Sequence, residues 1–333
     1  MLFAVQLAAM NGAERVLNAL DAIATRVEDN VHEVEILDAD ELESTAWYRS
    51  SRLERRKLLE EIAEASVYRS PRTRGPHQRR VEVSDETTAA SAKAVAYAPL
   101  LVLLENDVSD KALVEAALRM FAEPATMELC FGPPSKLDPP AIEMESRGGH
   151  GELKGLIERR CEEAAARGRR HRLVVVTDSD GEWKGDVKKH AQAIRDECVA
   201  RGIRCVLLKK RTAENYIPDA VWQALVEDRN FASMRPAVEA LSRLSADQRD
   251  HVHLDTKDPW DLTKPQVREL FDGVSPADYE TLRLASLKGK GADRFILALI
   301  DDRGKHALTP SNLQNRDQHG DLLELVRHIE EEL

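Results

Sequence analysis

Leu173-Val174-Val175-Val176-Thr177-Asp178-Ser179-Asp180 is a β-branched, aliphatic run that stops abruptly at two acids. Its unbroken apolar character, without the alternation of a half-exposed strand, predicts a short strand buried on both faces from Leu173 to Thr177. Two more runs of this kind flank it in the chain. Leu100-Leu-Val-Leu-Leu104 stops at Glu105-Asn-Asp-Val-Ser-Asp110, and Ile203-Arg-Cys-Val-Leu-Leu208 leads through Lys209-Lys-Arg-Thr-Ala to Glu214. Helical patterns fill the intervals: Ser109 to Phe121 with Ser109 as its cap, Glu152 to Arg167, and Asp186 to Ala200. Met127 to Phe131 reads as a further strand. Strands separated by helices make βα units, so the fold class is α/β with a mostly parallel sheet and flanking helices.

Outward from this centre the 333 residues divide into three stretches. Residues 1–90 read as a helical N-terminal region, with Val16, Leu17, Leu20 and Ile23 at helical spacing and Glu33-Val-Glu-Ile36 as a short strand. Five arginines with two prolines and a glycine make 69–80 an Arg-rich linker. Residues 98–222 form the α/β domain, and 223–333 a helical C-terminal region. The balance of 48 basic against 59 acidic side chains, net −11, argues against a protein that coats nucleic acid by bulk charge. An active site of carboxylates would itself be acidic, so an enzyme acting on nucleic acid is not excluded. The longest apolar run, Ala94 to Leu104, is broken by Pro99 and falls short of the roughly 20 residues a spanning helix needs. With no secretory signal and four cysteines lacking a CxxC pair, the expectation is a cytoplasmic protein with reduced thiols and no membrane contact.

Ligands of open parallel sheets bind outside the carboxyl ends of the strands. Here those ends carry Glu105, Asp178 with Asp180, and Glu214. Asp178 and Asp180, two apart in an extended chain, project to the same side. Carboxylate oxygens without thiolates or paired histidines favour Mg²⁺ or Mn²⁺, and acids crowded together repel unless a cation neutralises them. Acids after strands often do no more than fill loops or cap helices, as Asp186 is expected to; the grouping at two aliphatic strand ends is what points to a metal. His251-Val-His253 reads as a polar strand edge rather than a zinc site. No Walker loop, dinucleotide fingerprint, GxSxG elbow or Cys/His nucleophile pattern is present. Three basic segments, 69–80, Arg147 to Arg172 and Lys209 to Arg211, suit a rim for a phosphate backbone.

Glu105, a helix opening with Asp110, then Asp178-Ser-Asp180 some seventy residues on, together resemble the TOPRIM catalytic domain of topoisomerases, bacterial primases and OLD-family nucleases. Lys209-Lys-Arg-Thr-Ala-Glu-Asn-Tyr-Ile-Pro218 is most similar to the nuclease branch, including single-chain TOPRIM proteins of phage defence. The resemblance spans roughly 98–222. It implies a nuclease dependent on Mg²⁺ or Mn²⁺, with Glu105 as metal ligand and general base. Asp178 and Asp180 would hold the metal, Glu214 and Asp110 would be further ligands, and Lys210, with Lys209 or Arg211, would offset transition-state charge. Lys257, Lys288 and Lys290 are weaker candidates for that role. It further implies a nucleic-acid substrate, an ATPase partner protein and a part in antiviral defence, with a homo-oligomer left open. Two positions depart from the family pattern: Asn106 stands where a glycine is usual, and Asp110 lies five residues after the glutamate instead of four, so that Asp110 either ligates the metal or caps its helix. A non-catalytic TOPRIM-like subunit that binds a partner ATPase or nucleic acid is the alternative, and a primase-like polymerase a third reading.

Overall fold

The computed structural model describes residues 1–29, 31–68, 80–132, 139–147, 150–254, 259–285, 287–288 and 295–333. The Arg-rich stretch 69–79, Pro133 and Pro134, the glycines at 148–149, Lys257 and Lys290 lie outside them.

Among the described residues seven strands form two parallel sheets. The first joins β1 (Leu2–Val5), β2 (Glu33–Ile36) and β3 (Arg80–Val83) in the order β2-β1-β3. Helices Glu14–Glu28, Leu53–Tyr68 and Glu86–Ala96 connect and cover it. Phe3, Val5, Leu20, Ile23, Trp47, Leu59 and Val83 close its core. The N-terminal region is therefore α/β, not the helical region the sequence suggested. Glu33–Ile36 is the strand expected there, but β1 and β3 are four-residue strands, too short for a clear period in sequence.

The second sheet contains β4 (Leu100–Leu104), β5 (Ile142–Ser146), β6 (Leu173–Asp178) and β7 (Arg204–Leu208), ordered β5-β4-β6-β7 and parallel throughout. Three of these are the strands read from the aliphatic runs. Met127 to Phe131 is not a strand: it belongs to the helix Pro124–Phe131, whose proline sits in the first turn, where its missing N–H costs nothing. The fourth strand is instead Ile142–Ser146, an apolar–acid alternation that follows a proline-rich stretch.

Strand alternation sends side chains to opposite faces. Leu101, Leu103, Leu173 and Val175 meet Leu153, Leu156 and Ile157 of helix His150–Ala166 and Ile194 of helix Lys189–Arg201. Leu100, Val102, Leu104, Val174, Val176, Val206 and Leu208 pack toward the other side, with helix Ser109–Phe121 and the C-terminal helix Asp321–Glu332. That second face shares one continuous core with residues as far as Leu333, so no domain boundary falls at 222. The stretch 223–333 is helical, as expected, but it is a layer of the α/β domain. Among the described residues no helix is long and apolar enough to cross a membrane.

Candidate active site

In a doubly wound sheet the crevice opens where the chain reverses its direction of winding. From β4 the chain first goes outward to β5, then returns to β6 on the other side. The reversal therefore lies between β4 and β6, and these two strands end at Glu105 and Asp178.

Glu105 is buried and, two residues beyond the pair Leu103–Val175, lies level with Thr177. The Thr177 hydroxyl donates to its Oε1. Asp110, also buried, turns back from the first turn of its helix, and its Oδ2 accepts the backbone N–H groups of Glu105 (3.0 Å) and Asn106 (2.9 Å). The five-residue spacing is what this clamp uses. Asn106 Oδ1 accepts from the N–H groups of Val108 (2.9 Å) and Ser109 (3.0 Å), so Asn106, not Ser109, satisfies the helix start. Ser109 is thereby freed to donate its hydroxyl to Glu214 Oε1 at 2.7 Å, which brings the buried Glu214 to the same end of the sheet.

Asp178 differs from these three. Its Oδ1 is shut off from solvent and has no hydrogen-bond partner among the described residues. Burial, then the charges of Asp110, Glu105, Glu214 and Asp180, raise Asp178 well above the ordinary carboxylate range. Burial also pushes Asp110 up to about 7, helped by the Glu105 and Glu214 charges and opposed by its two backbone N–H bonds. Four acids from three segments thus press on one another at the sheet's switch point.

Asp180 departs from the expected geometry. The chain leaves the extended form there, with φ 51°, and Asp180 Oδ2 faces His190 Nε2 at 3.0 Å while its charge still acts on Asp178. The next residue, Gly181, is required because a Cβ would meet the carbonyl oxygen of Asp186 at 2.2 Å. Glu182, past that turn, binds Lys188 and Lys264, each at 2.6 Å. Among the described residues no three His, Cys, Asp or Glu side chains form a ready-made metal cage. Glu105, Asp110, Glu214 and Asp180 are each turned to a protein partner, which is how mutually repelling carboxylates settle without a cation.

Lys210 is not a site cation. Its side chain is wholly buried and its ammonium donates to Asp250, which Arg316 also binds at 2.6 Å. Burial and the Arg316 charge lower the Lys210 pKa to about 8 despite Asp250. Lys209 pairs with Asp321 at 2.9 Å. Burial lowers the Arg211 pKa against the charges of Glu182 and Asp180, and its guanidinium donates to the carbonyl of His251 at 3.2 Å. Lys288 is described, and its carbonyl accepts the N–H of Phe295 at 3.3 Å. His251 ends the helix Ala246–His251, with Nδ1 3.1 Å from the carbonyl of Gly181, so it is no strand edge. The basic run at Arg167 to Arg172 lies at the starts of β4 and β6, the end of the sheet remote from Glu105 and Asp178, so it does not rim the carboxylates.

Sequence reasoning missed Thr177 and His190, which orient Glu105 and Asp180, and read Ser109 as a helix cap where it orients Glu214. Their positions beside the acids were visible, but their partners depend on strand order. Comparison of the chain with protein-family models, with curated proteins and with solved structures gave no match.

Proposed function

We propose that the chain is a TOPRIM-like nuclease that hydrolyses nucleic-acid phosphodiester bonds with Mg²⁺ or Mn²⁺, as an effector of antiviral defence working with an ATPase partner. The observation that supports this reading is the unpartnered, buried Asp178 Oδ1 among the charges of Glu105, Asp110 and Glu214 at the switch point between β4 and β6. An all-oxygen donor set with surplus negative charge fits a hard divalent ion. Glu105, Asp110, Asp178 and Glu214 would hold that ion, which when bound would activate water and stabilise the leaving oxygen. Glu105, oriented by Thr177, is the residue to accept the proton of an attacking water. Arg211 replaces Lys210 as the residue that offsets charge on the phosphate.

The test is cleavage of supercoiled plasmid and of single-stranded RNA by purified protein in Mg²⁺ or Mn²⁺. Asp178→Ala and Glu105→Ala are each expected to lower the rate by about 100-fold or more. Equal cleavage by the wild type and both variants would mean a contaminating nuclease and would sink the assignment. The second reading, a non-catalytic subunit binding a partner or nucleic acid, draws on Asp110 serving as a loop clamp and Lys210 as half of a buried ion pair. Absence of Mn²⁺ binding at millimolar concentration would favour it.

A further inference from the structure

The end of the second sheet opposite the carboxylates holds a cavity of about 150 Å³. Leu101 and Leu173, near the starts of β4 and β6, line it together with Arg160, Arg167, Arg169 and His171. The length of the strands, roughly 16 Å, separates it from Asp178.

Its cations are unequally engaged. Arg160 is bound to Glu145 at 2.7 and 2.8 Å and to Glu163 at 2.5 Å. Arg172, also at the cavity, donates to the carbonyls of Ala98 (2.5 Å) and Glu332 (2.7 Å). Arg167 and Arg169 make no side-chain hydrogen bond or ion pair among the described residues. Gly168 between them stands in the left-handed region at φ 64°, and the turn it makes leaves both neighbours lining the cavity. Arg169 is half-buried beside the charge of Arg167, and burial followed by that charge lowers its pKa. Two acids also line the cavity: Glu163 is bound to Arg160 and its charge partly offsets that of Arg169, and Glu143 is the second.

A half-buried guanidinium with the exposed Arg167 charge beside it is stabilised when an anion is shared between the two. We propose that this cavity binds a phosphate monoester, gripped by Arg167 and Arg169. The planar fork of each guanidinium matches a pair of phosphate oxygens, and the dianion balances the two charges. The apolar surface of Leu101 and Leu173 lowers the local dielectric and strengthens both contacts. Because ligand pockets for whole small molecules start at about 300 Å³, this cavity takes the phosphoryl group and leaves its carrier outside. The proposal does not rest on the nuclease reading.

Inorganic phosphate is the probe, titrated into the full chain by calorimetry at constant ionic strength. Saturable binding at millimolar phosphate is expected. Arg167→Gln and Arg169→Gln should each weaken it about tenfold or more, and Arg169→Lys, which keeps the charge and loses the fork, should weaken it too. Asp178→Asn, at the other end of the strands, should leave it unchanged. Thermal melts matching the wild type would confirm that the arginine variants are folded. A 5′-phosphorylated oligonucleotide compared with its 5′-hydroxyl counterpart then separates two carriers. Preference for the phosphorylated strand, lost in Arg167→Gln, assigns a nucleic-acid terminus; equal binding of the strands beside retained phosphate binding assigns a small phosphorylated molecule. Phosphate binding that is absent from the wild type, survives both glutamine substitutions or disappears in Asp178→Asn overturns the site.

Discussion

Asp178 carries opposite consequences for stability and for function. Without a cation its carboxylate lies in the field of Asp110, Glu105 and Glu214, and its solvent-excluded Oδ1 gains nothing from the protein in return. Asp178→Asn removes one negative charge and supplies an amide that can donate to the neighbouring carboxylates. The variant should therefore be more stable than the wild type in EDTA, by about 1–2 kcal/mol at pH 8. Asp110 titrates at about 7 in the folded chain against an ordinary 3.8, and Asp178 is shifted in the same direction. A raised carboxyl binds more protons folded than unfolded, so the wild type gains stability as pH falls through 7 toward 3.8. The advantage of Asp178→Asn should shrink over that window. Mn²⁺ should raise the melting temperature of the wild type and not of the variant, since only binding to the folded state stabilises it. Urea midpoints at pH 8 and pH 5, with EDTA or Mn²⁺, measure all three effects. A variant less stable in EDTA with an unchanged Mn²⁺ response would remove Asp178 from any metal site.

At the scale of elements, the segment Lys209–Pro218 shows why some of the site was readable and some was not. The strand ends were legible because continuous aliphatic runs on β4 and β6 betray burial on both faces, and Glu105 and Asp178 stand at their ends. The partners of Lys209–Pro218 were not legible, because they lie far along the chain. Asn215 donates to the carbonyls of Arg249 (2.8 Å) and Val252 (3.0 Å), Tyr216 to Asp321 at 2.5 Å, and Lys210 to Asp250. A motif that resembled catalytic chemistry is, apart from Glu214 and Arg211, the fastening of β7 to the C-terminal helices. Met127 to Phe131 failed for a different reason: a short apolar run has no period to decide between strand and helix, and Pro124 settles it. Lys210→Met tests the fastening directly. Leaving Asp250 with Arg316 and His319 but without its buried ammonium partner should cost about 3 kcal/mol of stability in urea denaturation. Any cleavage activity, assayed well below the melting temperature, should change by no more than about threefold. Loss of activity at undiminished stability would return Lys210 to the chemistry.

Over the whole molecule the net charge of −11 conceals local clusters: Glu105, Asp110, Asp178 and Glu214 at the carboxyl end of the second sheet, and Arg160, Arg167, Arg169 and Arg172 with Glu143 and Glu163 at the other. The same sheet decides where the chain can be cut. The extent of the TOPRIM resemblance and the helical pattern beyond it placed a boundary at 222, and the helical stretch that follows is indeed a separate layer. Yet Leu322, Leu325, Val326 and Ile329 of the last helix are buried in one core with Val102, Val174, Val176 and Val206. Each such side chain contributes about 1.5–3 kcal/mol by leaving water. Removing these four alone forfeits roughly 6–12 kcal/mol, comparable with the roughly 5–15 kcal/mol that separates folded from unfolded domains. A fragment of residues 98–222, which has every candidate site acid, should therefore lack a cooperative thermal transition. It should also expose the face of β6 and β7 to a hydrophobic dye, whereas the full chain melts cooperatively. If the fragment melts cooperatively near the temperature of the full chain, the C-terminal helices are an appendage and the shared core is not what holds the sheet.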